Sequence, residues 1–179
     1  MDKAAPRCEH VGVPSPSPTR REFEEHNRAV LSDPRAVPDS DLQMWMKGRD
    51  ELARQVLERQ ADPSRRRSPR AEVVVPGFLA GHGGVFTIDL SFEGVSFRVG
   101  SDSLLRASDV ASVRLKVGAH SVYLSGRVAW GSRDRVGFHV EQVHPADKHL
   151  LQAAVCKRLL EAYTPGSPGG GFMGRRTGD

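Results

Sequence analysis

The sequence predicts a mainly β fold, with six or seven short antiparallel strands in a barrel or sandwich and one C-terminal helix. Three observations carry this. From Glu72 onward, apolar and polar residues alternate with a period of two. Gly or polar clusters at 81–84, 100–103, 118–120 and 131–134 punctuate the alternation. On either side of that region the apolar period is instead that of a helix. The length of 179 residues suits one domain with an extension.

The elements follow in order. Residues 1–39 are expected to be mostly disordered or marginally helical. Pro6, Pro14, Pro16 and Pro18 fall in a stretch too polar to offset its ordering entropy. Thr19 and Glu22 have the spacing of a capping box before a weakly apolar run that ends near Leu31. Pro34 and Pro38 then break the chain. Over 40–61 an amphipathic helix is expected. Ser40 and Gln43 repeat the capping-box spacing, and Leu42, Trp45, Met46, Ala53, Val56 and Leu57 recur on one face. That face suits docking on the neighbouring domain or on a partner.

The strands read from Val73 and Val75, then Phe86, Ile88 and Leu90, then Val95, Phe97 and Val99. Val113, Leu115 and Val117 continue the series, followed by Val122 and Leu124, Val128 and Trp130, and Val136, Phe138 and Val140. About 90 residues of this kind enclose a real core. Pro145 opens a helix with a stripe at Ala146, Leu150, Leu151, Val155, Leu159 and Leu160, which would cover the barrel. His144 occupies its N-cap. The Gly/Pro-rich residues 164–179 read as a flexible tail.

Charge narrows the function classes. The net charge is +4, and the basic set is lopsided, with 21 Arg against 5 Lys. Residues 1–61 hold 10 Lys/Arg and 11 Asp/Glu, whereas residues 62–163 hold 14 and 10. The excess thus belongs to the β region. No apolar run approaches the ~18–20 residues of a membrane span. Cys8 and Cys156 form no metal or disulfide framework, which suits a reducing cytoplasm. His144 and His149 lack the i, i+4 spacing of helical metal sites, and no G-x-S-x-G elbow is present. Neither a metal site nor an enzyme is expected.

Two features hold the distinctive chemistry. Arg65, Arg66, Arg67 and Arg70 lie within six residues directly before the first strand, with only Asp62 and Glu72 nearby as counter-charges. Such an arm offers guanidinium forks to phosphate or guanine and flat faces to a purine. The second feature is Asp89-Leu90-Ser91-Phe92-Glu93-Gly94, at a strand end and tight turn. Asp89 can accept two N–H donors, which a guanine Watson–Crick edge presents. Ser91 shares its strand face, while Leu90 and Phe92 point to the core. Gly94 allows positive φ or a close backbone approach.

The R-x-x-x-R arm at Arg66 and Arg70, followed by D-x-S-x-x-G starting 19 residues after Arg70, resembles the PilZ domain family. That family is known as small β-barrel receptors for the bacterial second messenger cyclic di-GMP. The likeness continues through Gly94-Val95-Ser96-Phe97, Gly126-Arg127-Val128-Ala129-Trp130 and Arg135-Val136-Gly137-Phe138-His139-Val140 to the C-terminal helix, so that residues 62–163 look like a whole PilZ-like domain.

The resemblance implies a six- or seven-stranded antiparallel barrel that binds cyclic di-GMP, needs no cofactor, and signals to a protein partner, with helix 41–60 as one contact surface. It implies that Arg66 and Arg70 clamp phosphates and guanine edges and that Asp89, Ser91 and Gly94 hold a guanine. Arg65 stands where the family associates an Arg with an intercalated ligand dimer. A cytoplasmic, bacterial receptor is expected, without membrane insertion.

Two other readings compete. A small basic β-barrel could bind nucleic acid, but exposed aromatics for stacking are not evident in the sequence. An adaptor could keep the fold without binding the ligand.

Overall fold

The computed structural model describes residues 17–59, 68–100 and 105–163. The expected N-terminal disorder over 1–16, the C-terminal tail 164–179, and Arg65 and Arg66 lie outside the described residues. Two helices come first, α1 (Arg20–Ser32) and α2 (Asp39–Glu58). Seven strands follow: β1 (Arg70–Glu72), β2 (Pro76–Leu79), β3 (Gly83–Ser91), β4 (Gly94–Arg98), β5 (Val110–Val117), β6 (His120–Gly131) and β7 (Arg135–Val143). Helix α3 (Pro145–Ala162) ends the fold.

All pairings are antiparallel. Strands β3, β2, β5, β6, β7 and β4 run in that order, and β4 returns to β3 to close a six-stranded barrel. Strand β1 is an addition. It pairs with the last part of β3, while β2 pairs with the first part on the same edge. The β2–β3 turn uses Gly81 and Gly83 at φ 78° and 89°, a conformation that costs glycine little.

Between β1 and β2 the chain leaves the β3 ladder. There the buried Thr87 hydroxyl accepts from Val75 N at 2.8 Å and donates to Val73 O, while Thr87 N donates to Val75 O at 3.0 Å. A side chain thus satisfies backbone groups that the ladder would have paired.

Thr87 changes the expected alternation. It faces inward beside Val85, and this turns Phe86 outward. A register shift between Thr87 and Asp89 then returns Leu90 to the core. A second departure affects Trp130, which was expected to share an inward face with Val128. The β6–β7 register shifts between them, and Trp130 lies outside. The other inward sets fall as expected. Phe97, Leu115, Val122, Val128, Val136 and Phe138 are all buried.

Helix α3 was expected to present one stripe to the barrel. It is instead buried on both sides. Leu150, Leu151, Ala154, Val155 and Leu159 join the barrel core, while Ala153 and Cys156 join a second core with Phe23, Val30 and Trp45. A helix with two apolar flanks requires cover on both, and α1 and α2 supply the second, leaving a charged side with Lys157, Arg158 and Glu161 exposed.

Helix α1 therefore forms despite weak apolar content, since packing outweighs propensity. Its capping box is complete: Glu22 N donates to Thr19 Oγ1 at 3.3 Å and Thr19 N donates to Glu22 Oε2 at 2.7 Å. Helix α2 starts one residue before its expected cap. Pro38 is the N-cap, and Ser40 sits inside the first turn with its hydroxyl on Asp41. Asp39 and Asp41 there complement the helix dipole, so the Ser40–Gln43 box is not used.

A polar thread crosses the second core. Trp45 Nε1 donates to Asn27 Oδ1 at 2.9 Å, and Asn27 Nδ2 donates to the Ala153 carbonyl at 3.1 Å. This satisfies both ends of the buried Asn27 amide. No helix among the described residues is long and apolar enough to cross a membrane.

Two outcomes follow from this packing. Gly48 on α2 lies against the Phe23 ring, where an added Cβ would overlap it. Gly48→Ala is expected to cost about 1–3 kcal/mol, read as a lower urea midpoint. Burial pushes the Cys156 thiol up to about 12. At pH 8 a thiol reagent should leave Cys156 unmodified in the folded chain and modify it in urea, as resolved by peptide mass mapping.

Candidate functional site

The site forms where β1 meets the C-terminal end of β3. Arg70 is the Cα partner of Ser91, and Glu72 of Asp89. This register sets the Arg70 guanidinium beside Asp89, with Nη1 donating to Oδ1 at 3.3 Å. The other carboxylate oxygen accepts from Ser96 Oγ at 2.7 Å, because the β3–β4 register shift makes Asp89 and Ser96 partners. Arg70 and Asp89 side chains keep 44% and 29% of their exposure. A single, solvent-washed contact of this kind is worth about 0–1 kcal/mol, so an incoming ligand can displace it.

The adjoining turn is built by Ser91. Its hydroxyl accepts from Gly94 N at 3.0 Å and Glu93 N at 3.4 Å and lies 3.2 Å from the Gly94 carbonyl, to which it donates. The hydroxyl thus shapes the turn rather than standing free on the strand face. Gly94 does not have positive φ. Its role is the close approach: an added Cβ would come within 2.9 Å of the Phe138 carbonyl oxygen on β7.

Ser68, just before β1, accepts from Phe92 N at 3.0 Å and so ties the arm to the turn. The half-buried Phe92 ring lies under the Arg49 guanidinium of α2 at 5.6 Å, and its carbonyl accepts from Gln152 Nε2 of α3 at 3.3 Å. Arg49 in turn donates to Gln152 Oε1 at 2.6 Å.

Beside Arg70 the barrel surface opens into a shelf of about 210 Å³, lined in part by Ser68, Arg70, Ser91, Gly94, Trp130 and His139. Trp130, 42% exposed, lies across its β7 partner Gly137, whose missing Cβ leaves the room. The shelf therefore combines a guanidinium, a carboxylate at its edge, a tight turn and a flat indole. These groups suit a planar, anionic, hydrogen-bonding ligand. Among the described residues, no cluster of three His, Cys, Asp or Glu side chains could hold a metal ion.

The family model for the PilZ domain matches residues 64–156, just over half of the sequence. The chain belongs to the PilZ domain family. A solved structure of the Bacillus subtilis inhibitor of motility (MotI/DgrA) is similar, with a TM-score of 0.50 and 11% identity over 55% of this chain and 52% of that one. The chain thus spans about half the length of that protein. The PilZ domain of CeSA from a cellulose-synthesizing bacterium gives 0.42 and 18%, over 50% of this chain and 97% of that one. The PilZ domain with c-di-GMP of YcgR from Escherichia coli gives 0.45 and 17%, over 55% and 95%. No curated protein matches.

Of the six residues singled out from the PilZ motifs, Arg70, Asp89, Ser91 and Gly94 are brought together here, while Arg65 and Arg66 precede the described part of the arm. The sequence reading missed Ser68, Trp130 and His139. Gly137 was the available signal for Trp130: a glycine inside a strand marks a close approach from a neighbour.

Replacing that glycine tests the shelf. Gly137→Val should dislodge the Trp130 indole, raising acrylamide quenching of the exposed tryptophan component while the far-ultraviolet circular dichroism stays unchanged.

Proposed function

We propose that this PilZ protein is a cytoplasmic receptor for cyclic di-GMP that signals to a protein partner and performs no catalysis itself. The observation that carries the reading is the Arg70–Asp89 pair, held loosely at the edge of the Trp130 shelf and led into by Arg65 and Arg66. In the free protein each group occupies the other. A guanine edge presented to Asp89 would supply N–H donors in place of Arg70. Arg70 would then turn to a phosphate, with Arg66 as the second clamp. Trp130 offers a face on which a purine stacks. Ser91 and Gly94 act on the ligand by keeping the turn flat and close to β7. Arg65 is the residue that would favour an intercalated ligand dimer.

The same contacts supply a route for the signal. Closing the arm on ligand moves Ser68, which holds Phe92 N, and Phe92 packs under Arg49 of α2. The position of α2 is then coupled to occupancy, and the exposed side of α2 is the surface a partner would read. Amide exchange across 41–70 should slow on ligand addition.

Titration calorimetry tests the reading. Wild-type protein should bind cyclic di-GMP saturably, at micromolar or better affinity. Arg66→Ala/Arg70→Ala should weaken binding by about 100-fold or more, since each charge-assisted hydrogen bond is worth ~1.5–3 kcal/mol. Asp89→Ala should weaken it by about tenfold or more for the same reason. Wild-type heat that survives in the double variant would refute the arm assignment. No wild-type heat at millimolar ligand would make the protein an adaptor with a PilZ fold.

A further inference from the structure

A second surface, sharing no residue with the shelf, lies on the outside of β2, β5 and the first half of β6. Phe78, Arg114 and Tyr123 are consecutive cross-strand partners, so they stand side by side. Phe86 lies on the adjoining part of β3, paired with Pro76 on one side and Arg98 on the other. All three aromatics are exposed: Phe78 by 49%, Phe86 by 56% and Tyr123 by 62%. The β3 partner of Phe78 is Gly84, where even an added Cβ would meet nothing, so that flank of the ring is open. A concavity of about 330 Å³ beside them is lined in part by Pro76, Phe78, Arg114, Lys116 and Ser121.

The charge on this surface has one sign. Strands β2, β4, β5 and β6 contain no Asp or Glu. Neither Arg98 nor Arg114 enters an ion pair among the described residues, and Lys116 donates only to the Ala119 carbonyl at 2.8 Å. Every exposed aromatic here thus has a cation as its neighbour across a strand.

We propose that this face binds single-stranded nucleic acid, with Phe78, Phe86 and Tyr123 stacking bases and Arg98, Arg114 and Lys116 holding the intervening phosphates. Phe78 and Phe86 are diagonal neighbours, ~7–8 Å apart at the backbone. That is close to twice the ~3.4 Å rise of a nucleotide. Rings interleaved with cations form a platform that accepts any base and follows a phosphate backbone.

A protein partner fits less well. The centre of a protein interface is depleted in Lys, whereas here Lys116 joins Arg98 and Arg114 on a face whose strands β2, β4, β5 and β6 carry no acid. The closed barrel also offers no free strand edge on this side for an extended peptide to join.

The test is fluorescence anisotropy of labelled oligothymidylate and oligouridylate of about 15 nucleotides, near the upper site size of one small barrel, titrated with the full chain. Saturable binding is expected, with a slope of log K against log salt near −2 for three phosphates at about −0.7 each. Phe78→Ala/Tyr123→Ala should bind about tenfold more weakly or worse, and Arg114→Glu likewise, with cooperative melting retained. Should the alanine pair melt early, Tyr123→Phe should hold wild-type affinity and Tyr123→Leu should lose it. Absence of wild-type binding at low salt would overturn the proposal. So would affinity indifferent to these variants, or lost only in Arg66→Ala/Arg70→Ala, which would move the oligonucleotide to the arm. Displacement by polyglutamate at equal charge concentration would also overturn it, because the face would then read acidic protein. These variants leave the cyclic di-GMP titration untouched, so the two readings fail separately.

Discussion

The candidate dinucleotide site depends on how one edge of β3 is divided. A nine-residue strand meets two short strands on that edge, and the Thr87 hydroxyl stands at the joint. Because it satisfies the backbone of Val73 and Val75, the chain can leave the ladder after β1 and rejoin as β2 without stranding buried polar groups. Strand β1 is thereby free to follow the end of β3 in its own register. That register sets Arg70 opposite Ser91 and against Asp89. Without a partner for those backbone groups, the arm would have no fixed point at which to join the barrel.

Much of this was legible in the sequence, and the exceptions have physical causes. The two-residue alternation locates β3, β4, β5, β6 and β7, because one face of each must be buried. It misses the four-residue β2, too short to show a period, and reads the long β6 as two runs. It misplaces Phe86 because the inward slot beside it goes to a hydroxyl, which a hydrophobicity pattern does not anticipate. It misplaces Trp130 because a bulge flips the phase, and bulges leave little trace in one sequence. These two errors share a consequence: each turned a large exposed ring into an apparent core residue. Two of the aromatics that seemed missing from the barrel surface, Phe86 and Trp130, were hidden in this way, while Phe78 lies on the unanticipated β2. The motif residues read more directly, since their spacing is tied to the β1–β3 register. The role of Ser91 did not, because whether a hydroxyl serves a ligand or its own turn depends on the neighbouring backbone.

The helices were the least legible part. Helix α1 looked marginal, for its stability comes from residues over a hundred positions away, as in the Asn27 bond to the Ala153 carbonyl. Arg49 shows the same limit. On the sequence it is one charge among many on α2. In the fold it lies over both Trp45 and Phe92 and bonds Gln152, which joins two helices to the turn between β3 and β4. Its guanidinium gives that junction flat, displaceable contacts, unlike the interdigitated apolar packing inside the barrel.

The burial of α3 on both sides changes what counts as the working unit. The family match begins at residue 64, yet its last helix carries a second apolar flank that only α1 and α2 cover. A fragment trimmed to the matched span would expose Ala153 and Cys156 to water and leave the Asn27 acceptor carbonyl bare. The N-terminal helices are therefore the outer wall of the domain, and a pull on that wall reaches the barrel through a helix packed on both flanks.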